Sequence, residues 1–113
     1  MRRWNGWGDE SITMELPAHG EAFLAAILGS GKPLPDASLD SVLAQVPASR
    51  LSGHPLLVTA ADDRLRHARG QSLPDWLAMR SGDFGVFPDA VAYPETAAQI
   101  RELLTWASLL ADG

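Results

Sequence analysis

The stretch DDRLRHARGQS, residues 62–72, gathers the side chains of this sequence best suited to chemistry. Arg66, His67, Arg69 and Gln71 form a local basic and polar cluster on an otherwise acidic chain. Facing one ligand, they would suit an anion, through two guanidinium groups, an imidazole and a carboxamide. The same residues have a plainer reading. Asp62 with Arg66 and Asp63 with His67 are spaced i, i+4, so they also fit ion pairs on a solvated helix face.

Other chemistries find less support. GSGKP, residues 29–33, has a phosphate-loop look, but that pattern needs a glycine where Ala26 stands and a Ser or Thr where Pro33 stands. It also needs a preceding strand, and an apolar helical run precedes it. His19, His54 and His67 lie far apart, without the short spacing of a metal site. GQSLP carries Pro74 where a nucleophile elbow needs glycine. The chain has 0 cysteines, so thiolate ligands, thiol catalysis and disulfides are excluded. No metal site and no catalytic residue is assigned.

The elements that would position the cluster follow from pattern. EAFLAAIL, residues 21–28, is apolar on nearly every face and predicts a short buried helix, closed by Gly29 and stopped by Pro33. Leu39, Val42, Leu43 and Val46 mark an amphipathic helix ending at Pro47. Thr59 is expected to cap a third helix that ends at Gly70. Ser72 is expected to cap a fourth, with Pro74 and Asp75 in its first turn and Gly82 at its close. Val91 and Tyr93 then alternate around Ala92 as a strand closed by Pro94. Thr96 and Gln99 form a capping box for a last helix carrying Ile100, Leu103, Leu104 and Ala107. A single strand lacks a neighbour for its backbone N–H and C=O groups, and a helix after a strand normally leads to a parallel partner. The pattern therefore predicts the front end of a longer α/β protein. Near the start, Trp4 and Trp7 in RWNGWGDES read as an irregular anchoring arm with buried indoles.

The totals bound the partners. A chain of 113 residues is one domain's worth, and its net charge of −5 disfavours nucleic acid and anionic membranes. No apolar run approaches the ~20 residues of a membrane-spanning helix, and no signal peptide is evident, so a cytoplasmic location is the expectation.

RWNGWGDES and ADDRLRHARGQSLPDWLAMRSGDFGVFPDAVAYPETAAQIRELLTWA together resemble the N-terminal part of the alkyldihydroxyacetonephosphate (alkylglycerone-phosphate) synthases. These are FAD-binding enzymes of the vanillyl-alcohol oxidase superfamily. The resemblance implies an α+β fragment, mainly helical. About four short helices would precede the first strand–helix unit of an FAD-binding domain of the vanillyl-alcohol oxidase/p-cresol methylhydroxylase type. Residues 1–83 would form a helical support region with the Trp-rich arm, and residues 84–113 the start of the flavin domain. In that family the next strand leads into a P-x-G-G-G-T-S loop that holds the FAD pyrophosphate, and this chain stops short of such a loop. The catalytic tyrosine and histidines of the family have no counterpart here.

The implied function is exchange of an acyl for an alkyl chain in ether-lipid synthesis, carried out by a full-length flavoprotein. The fragment alone is expected to be inactive and to hold FAD weakly or not at all. Arg66, His67, Arg69 and Gln71 would then lie nearest cofactor or substrate, and Trp4 and Trp7 would dock against another domain. The expected partners are the remainder of the enzyme and a small-molecule or lipid-precursor substrate, and a homodimer is compatible with the sequence. Two alternatives stand beside this: an FAD-dependent oxidase or dehydrogenase of a small hydroxy acid, and a free-standing helical interaction module.

Overall fold

A computed structural model describes residues 1–112. It is mainly helical with one two-stranded antiparallel sheet. In chain order the elements are α1 (Ala18–Leu28), α2 (Leu39–Leu43), β1 (Leu57–Val58), α3 (Ala61–Arg66), α4 (Leu73–Arg80), β2 (Val91–Ala92) and α5 (Ala97–Ala111). Packing divides the chain into two compact units that alternate in sequence. One comprises Met1–Gln45 and Arg69–Gly85, the other Val46–Ala68 and Val86–Gly113. Among the described residues, no helix is long and apolar enough to cross a membrane.

The first unit is built on α4. Ser72 caps this helix, and the cap is reciprocal. The Ser72 hydroxyl accepts from the Asp75 N–H, and the Asp75 carboxylate accepts from the Ser72 N–H and hydroxyl. A Cβ on Gly70 would meet Asp75 Oδ2 at 2.9 Å, so a larger residue there would push the capping carboxylate aside. Trp76 and Met79 of α4 are buried, as are Phe84 and Val42. The far end of α4 is fixed to the segment before α2: Arg80 forks onto Asp36 at 2.9 and 3.1 Å, and its carbonyl accepts from the Ala37 N–H. Gly82, with φ at +84°, turns the chain out of the helix.

The tryptophan arm is a small hairpin rather than an irregular loop. Arg2 and Asp9 form an antiparallel bridge, the Arg3 N–H donates to the Gly8 carbonyl, and Gly8 takes φ +83°. Trp4 stacks on Phe84 at 6.1 Å and Trp7 meets Trp76 edge-on at 6.1 Å. Trp7 Nε1 donates to the Gln71 carbonyl at 3.1 Å. Trp7 nevertheless stays 60% exposed, which corrects the expectation that both indoles are buried. One edge contact and one N–H bond suffice to place the ring while its face remains in water.

Helix α1 departs furthest from expectation. Its apolar composition predicts burial, yet it has no buried residue. Apolar composition states what a helix would gain by burial, and only neighbouring chain can supply the cover. Helix α2 is also shorter than its pattern, five residues with Val42 alone buried.

In the second unit, β2 is not unpaired. It pairs antiparallel with β1, Leu57 opposite Ala92 and Val58 opposite Val91. The run LLV between Pro55 and Thr59 is too short to show alternation, so sequence periodicity passes over it. The described strands thus form no parallel pair. Arg64 of α3, 3% exposed, braces the chain leading to each strand: Nε donates to the Pro88 carbonyl and Nη1 to the Pro47 carbonyl, both at 2.7 Å. Arg50 forks onto Asp89, and Ser49 donates to the Asp89 carbonyl. Helix α5 begins at Thr96, whose hydroxyl accepts from the Gln99 N–H; the Gln99 side chain reaches back to the Glu95 N–H, one residue before the expected partner.

Two outcomes test these assignments. Ser72→Ala removes one side of the reciprocal cap and is expected to cost about 1 kcal/mol in urea unfolding. The Arg50 guanidinium holds the Asp89 carboxyl at about 2, below its ordinary 3.8. A depressed carboxyl stabilises the folded state above its unfolded value, and that contribution is lost as pH falls through the folded value. Wild-type unfolding midpoints should therefore drop between about pH 4 and pH 2. Asp89→Asn should be less stable at neutral pH and show a shallower acid decline.

Candidate functional site

The end of α3 and the chain leaving β2 assemble a polar cluster from Asp62, Asp63, Arg66, His67 and Tyr93. The helix sets the first four by its period. Asp62 and Arg66 pair across one turn, Nε to Oδ2 at 2.9 Å, as their spacing predicts. Asp63 and His67 do not pair in the expected way. His67 closes the helix, and its Nδ1 lies 2.7 Å from the Asp63 backbone carbonyl. A carbonyl only accepts, so Nδ1 carries the hydrogen. In the neutral ring, Nε2 then holds the lone pair.

The Asp63 carboxylate is left to accept from Tyr93, whose hydroxyl donates at 2.6 Å. The Tyr93 ring also meets the His67 ring edge-on at 5.6 Å. The hydrogen bond to Asp63, with partial burial and the charges of Asp63 and Asp62, raises the Tyr93 pKa above its ordinary 10.0. Tyr93 is therefore a hydrogen-bond donor at neutral pH, not a phenolate base. The cluster can offer a polar ligand acceptors that include His67 Nε2, beside a guanidinium already balanced by its own carboxylate.

The four residues expected nearest a ligand divide between the units. Arg66 and His67 belong to the second and Arg69 and Gln71 to the first. In the first, Arg69 Nε lies 3.3 Å from Asp75 Oδ1 and Nη1 lies 3.4 Å from the Asp83 carbonyl. Gln71 contributes its backbone carbonyl, which accepts from Trp7. Each arginine thus has a carboxylate of its own, and neither is a bare cation awaiting an anion. Trp4 and Trp7 anchor the arm to α4 and Phe84 within the first unit.

Two participants carried no usable signal in the sequence. Tyr93 was legible as a strand residue but not as the partner of Asp63, 30 residues away. His54 was legible only as an isolated histidine. It is nearly buried; its Nδ1 accepts from the Leu56 N–H at 3.1 Å, and Nε2 faces Glu102 of α5 at 3.2 Å. Its ring also meets Trp106 edge-on at 5.3 Å. Both ring nitrogens are occupied, so His54 fastens α5 and does not serve as a ligand-facing base. Among the described residues, no three His, Asp or Glu side chains gather as metal ligands.

These features define a mainly helical α+β chain that carries a hydrogen-bonded Asp–Tyr pair beside a histidine. No protein-family profile and no solved structure matches it. It is 33% identical over 106 residues to Protein Rv2250A of Mycobacterium tuberculosis, an alignment that covers 81% of this chain and 68% of that protein. The chain belongs to the family of that protein.

Tyr93 is the only tyrosine in the sequence, so its ionisation can be followed without overlap. Ultraviolet titration should place it above 10.0, and Asp63→Asn should bring it down towards that value. A tyrosine whose folded pKa is raised stabilises the fold below its unfolded value and loses that contribution as pH rises. The wild type should accordingly lose more stability on alkaline titration than Tyr93→Phe.

Proposed function

We propose that this chain is the N-terminal part of an FAD-dependent enzyme resembling alkyldihydroxyacetonephosphate synthase, which exchanges an acyl for an alkyl chain. The observation that carries the reading is the tie between the end of α3 and the chain leaving β2. Asp63 and His67 sit directly against Tyr93, in the segment that the resemblance makes the opening strand of the flavin domain. The bare apolar residues of α5, including Ile100 and Leu104, agree with a helix that further chain covers.

Among the described residues, the glycines after α1 form no cradle for the FAD pyrophosphate. Gly29 and Gly31 stand in open space just past the C-terminal end of α1, where the helix dipole is negative and disfavours phosphate. No flavin contact is assigned to them. In the whole enzyme, His67 would present Nε2 to cofactor or substrate, with Arg66 in the same unit; Arg69 and Gln71 belong to the other unit. A second reading, a helical interaction module, draws on the exposed apolar surface of α1.

The test is made on the protein as its source encodes it. Copurifying yellow flavin and alkyl product from a fatty alcohol are the expected outcomes. Flavin with turnover of lactate or glycolate would instead identify a hydroxy-acid oxidase. Absence of flavin from the whole protein would remove the reading and favour the module. His67→Ala in the whole enzyme should lower turnover or flavin content about tenfold, the scale of one polar contact.

A further inference from the structure

The C-terminal half of α1 and the turn after it form an open groove of about 540 Å³, lined by Glu21, Leu24, Leu28 and Lys32 among others. Glu21, Leu24 and Leu28 are spaced i, i+3, i+7, so they follow one line along the helix, and the turn continues that line to Lys32. Of the apolar side chains that line it, Leu24 is 44% and Leu28 78% exposed. The surface is thus apolar along its middle, with a carboxylate at one end and an amine at the other. Neither Glu21 nor Lys32 has a side-chain hydrogen bond or ion pair among the described residues. Lys32 is also the only lysine of the chain.

We propose that this groove is a self-association surface, on which the α1 of a second copy lies antiparallel. The argument is charge complementarity. A groove with a negative and a positive end becomes self-complementary when a copy is turned about a two-fold axis. That operation sets Glu21 of each copy against Lys32 of the other, with Leu24 and Leu28 meeting near the axis. It also runs the two helix dipoles in opposite directions, which is favourable. A lipid surface fits less well, because a chain of net charge −5 with one lysine here is repelled by anionic headgroups. This inference is independent of the flavin reading.

The helix is about 16 Å long, so the contact falls short of the roughly 800 Å² per partner of a standard interface. The dimer is accordingly weak, with a Kd on the order of 100 µM. Sedimentation equilibrium of the 113-residue chain across that range is the test. Monomer–dimer exchange is expected, and Leu24→Glu or Leu28→Glu should raise Kd at least about tenfold. Glu21→Lys alone and Lys32→Glu alone should each weaken the dimer, because each sets like charges together. The double variant Glu21→Lys/Lys32→Glu should restore it. Carbodiimide coupling should join Glu21 of one copy to Lys32 of another.

All four sites are exposed, and circular dichroism checks that each variant keeps its helices. A monomer throughout the range overturns the proposal. So does a dimer indifferent to the apolar variants, or charge variants that fail to show the weakening and the rescue.

Discussion

A buried guanidinium holds the second unit together. Arg64 lies inside the fold with its two bonds made to backbone carbonyls, those of Pro47 and Pro88. Removing a cation from water is costly, and carbonyl dipoles compensate only if the chain places them accurately. The arrangement therefore fixes where the chain stands before each strand. The Asp89 carboxylate lies next in sequence to Pro88, where Arg50 grips it and the charge of Arg64 is felt. Two strands of two residues each would not hold a sheet by their own ladder. This brace makes so short a pairing tenable.

The polar cluster depends on that brace. β1 and β2 align the chain that follows β2, and Tyr93 is thereby delivered to Asp63. The carboxylate that a helix-face reading gives to His67 is taken by a tyrosine from another element. His67 turns instead to a backbone carbonyl and ends the helix, three residues before the expected stop at Gly70. One substitution of partners changes both the length of α3 and the proton position on its histidine.

In the first unit the division between local and distant causes is just as plain. Ser72, Pro74 and Asp75 announce the start of α4 because a cap is made within four residues, and the structure adds only its reciprocity. Thr96 and Gln99 likewise begin α5. The third helix was legible as a helix but not in its bounds, because Ala60 rather than Thr59 holds the capping position and no side chain caps it. The tryptophan arm was legible as an anchor. Its hairpin was not, since one bridge between Arg2 and Asp9 leaves no periodicity to read.

The sequence by itself determined the number and order of the helices, the caps of α4 and α5, the Asp62–Arg66 pair and the extended segment ending at Pro94. All of these arise from residues within a few positions of one another, where steric preference and hydrogen-bond reach suffice. Tertiary structure alone decided the partner of β2, the burial of Arg64, the exposure of α1, and the allotment of Arg66 and His67 to one unit and Arg69 and Gln71 to the other. Each of these depends on chain brought from far along the sequence, and the cost of closing such loops is repaid only by packing that no local pattern records.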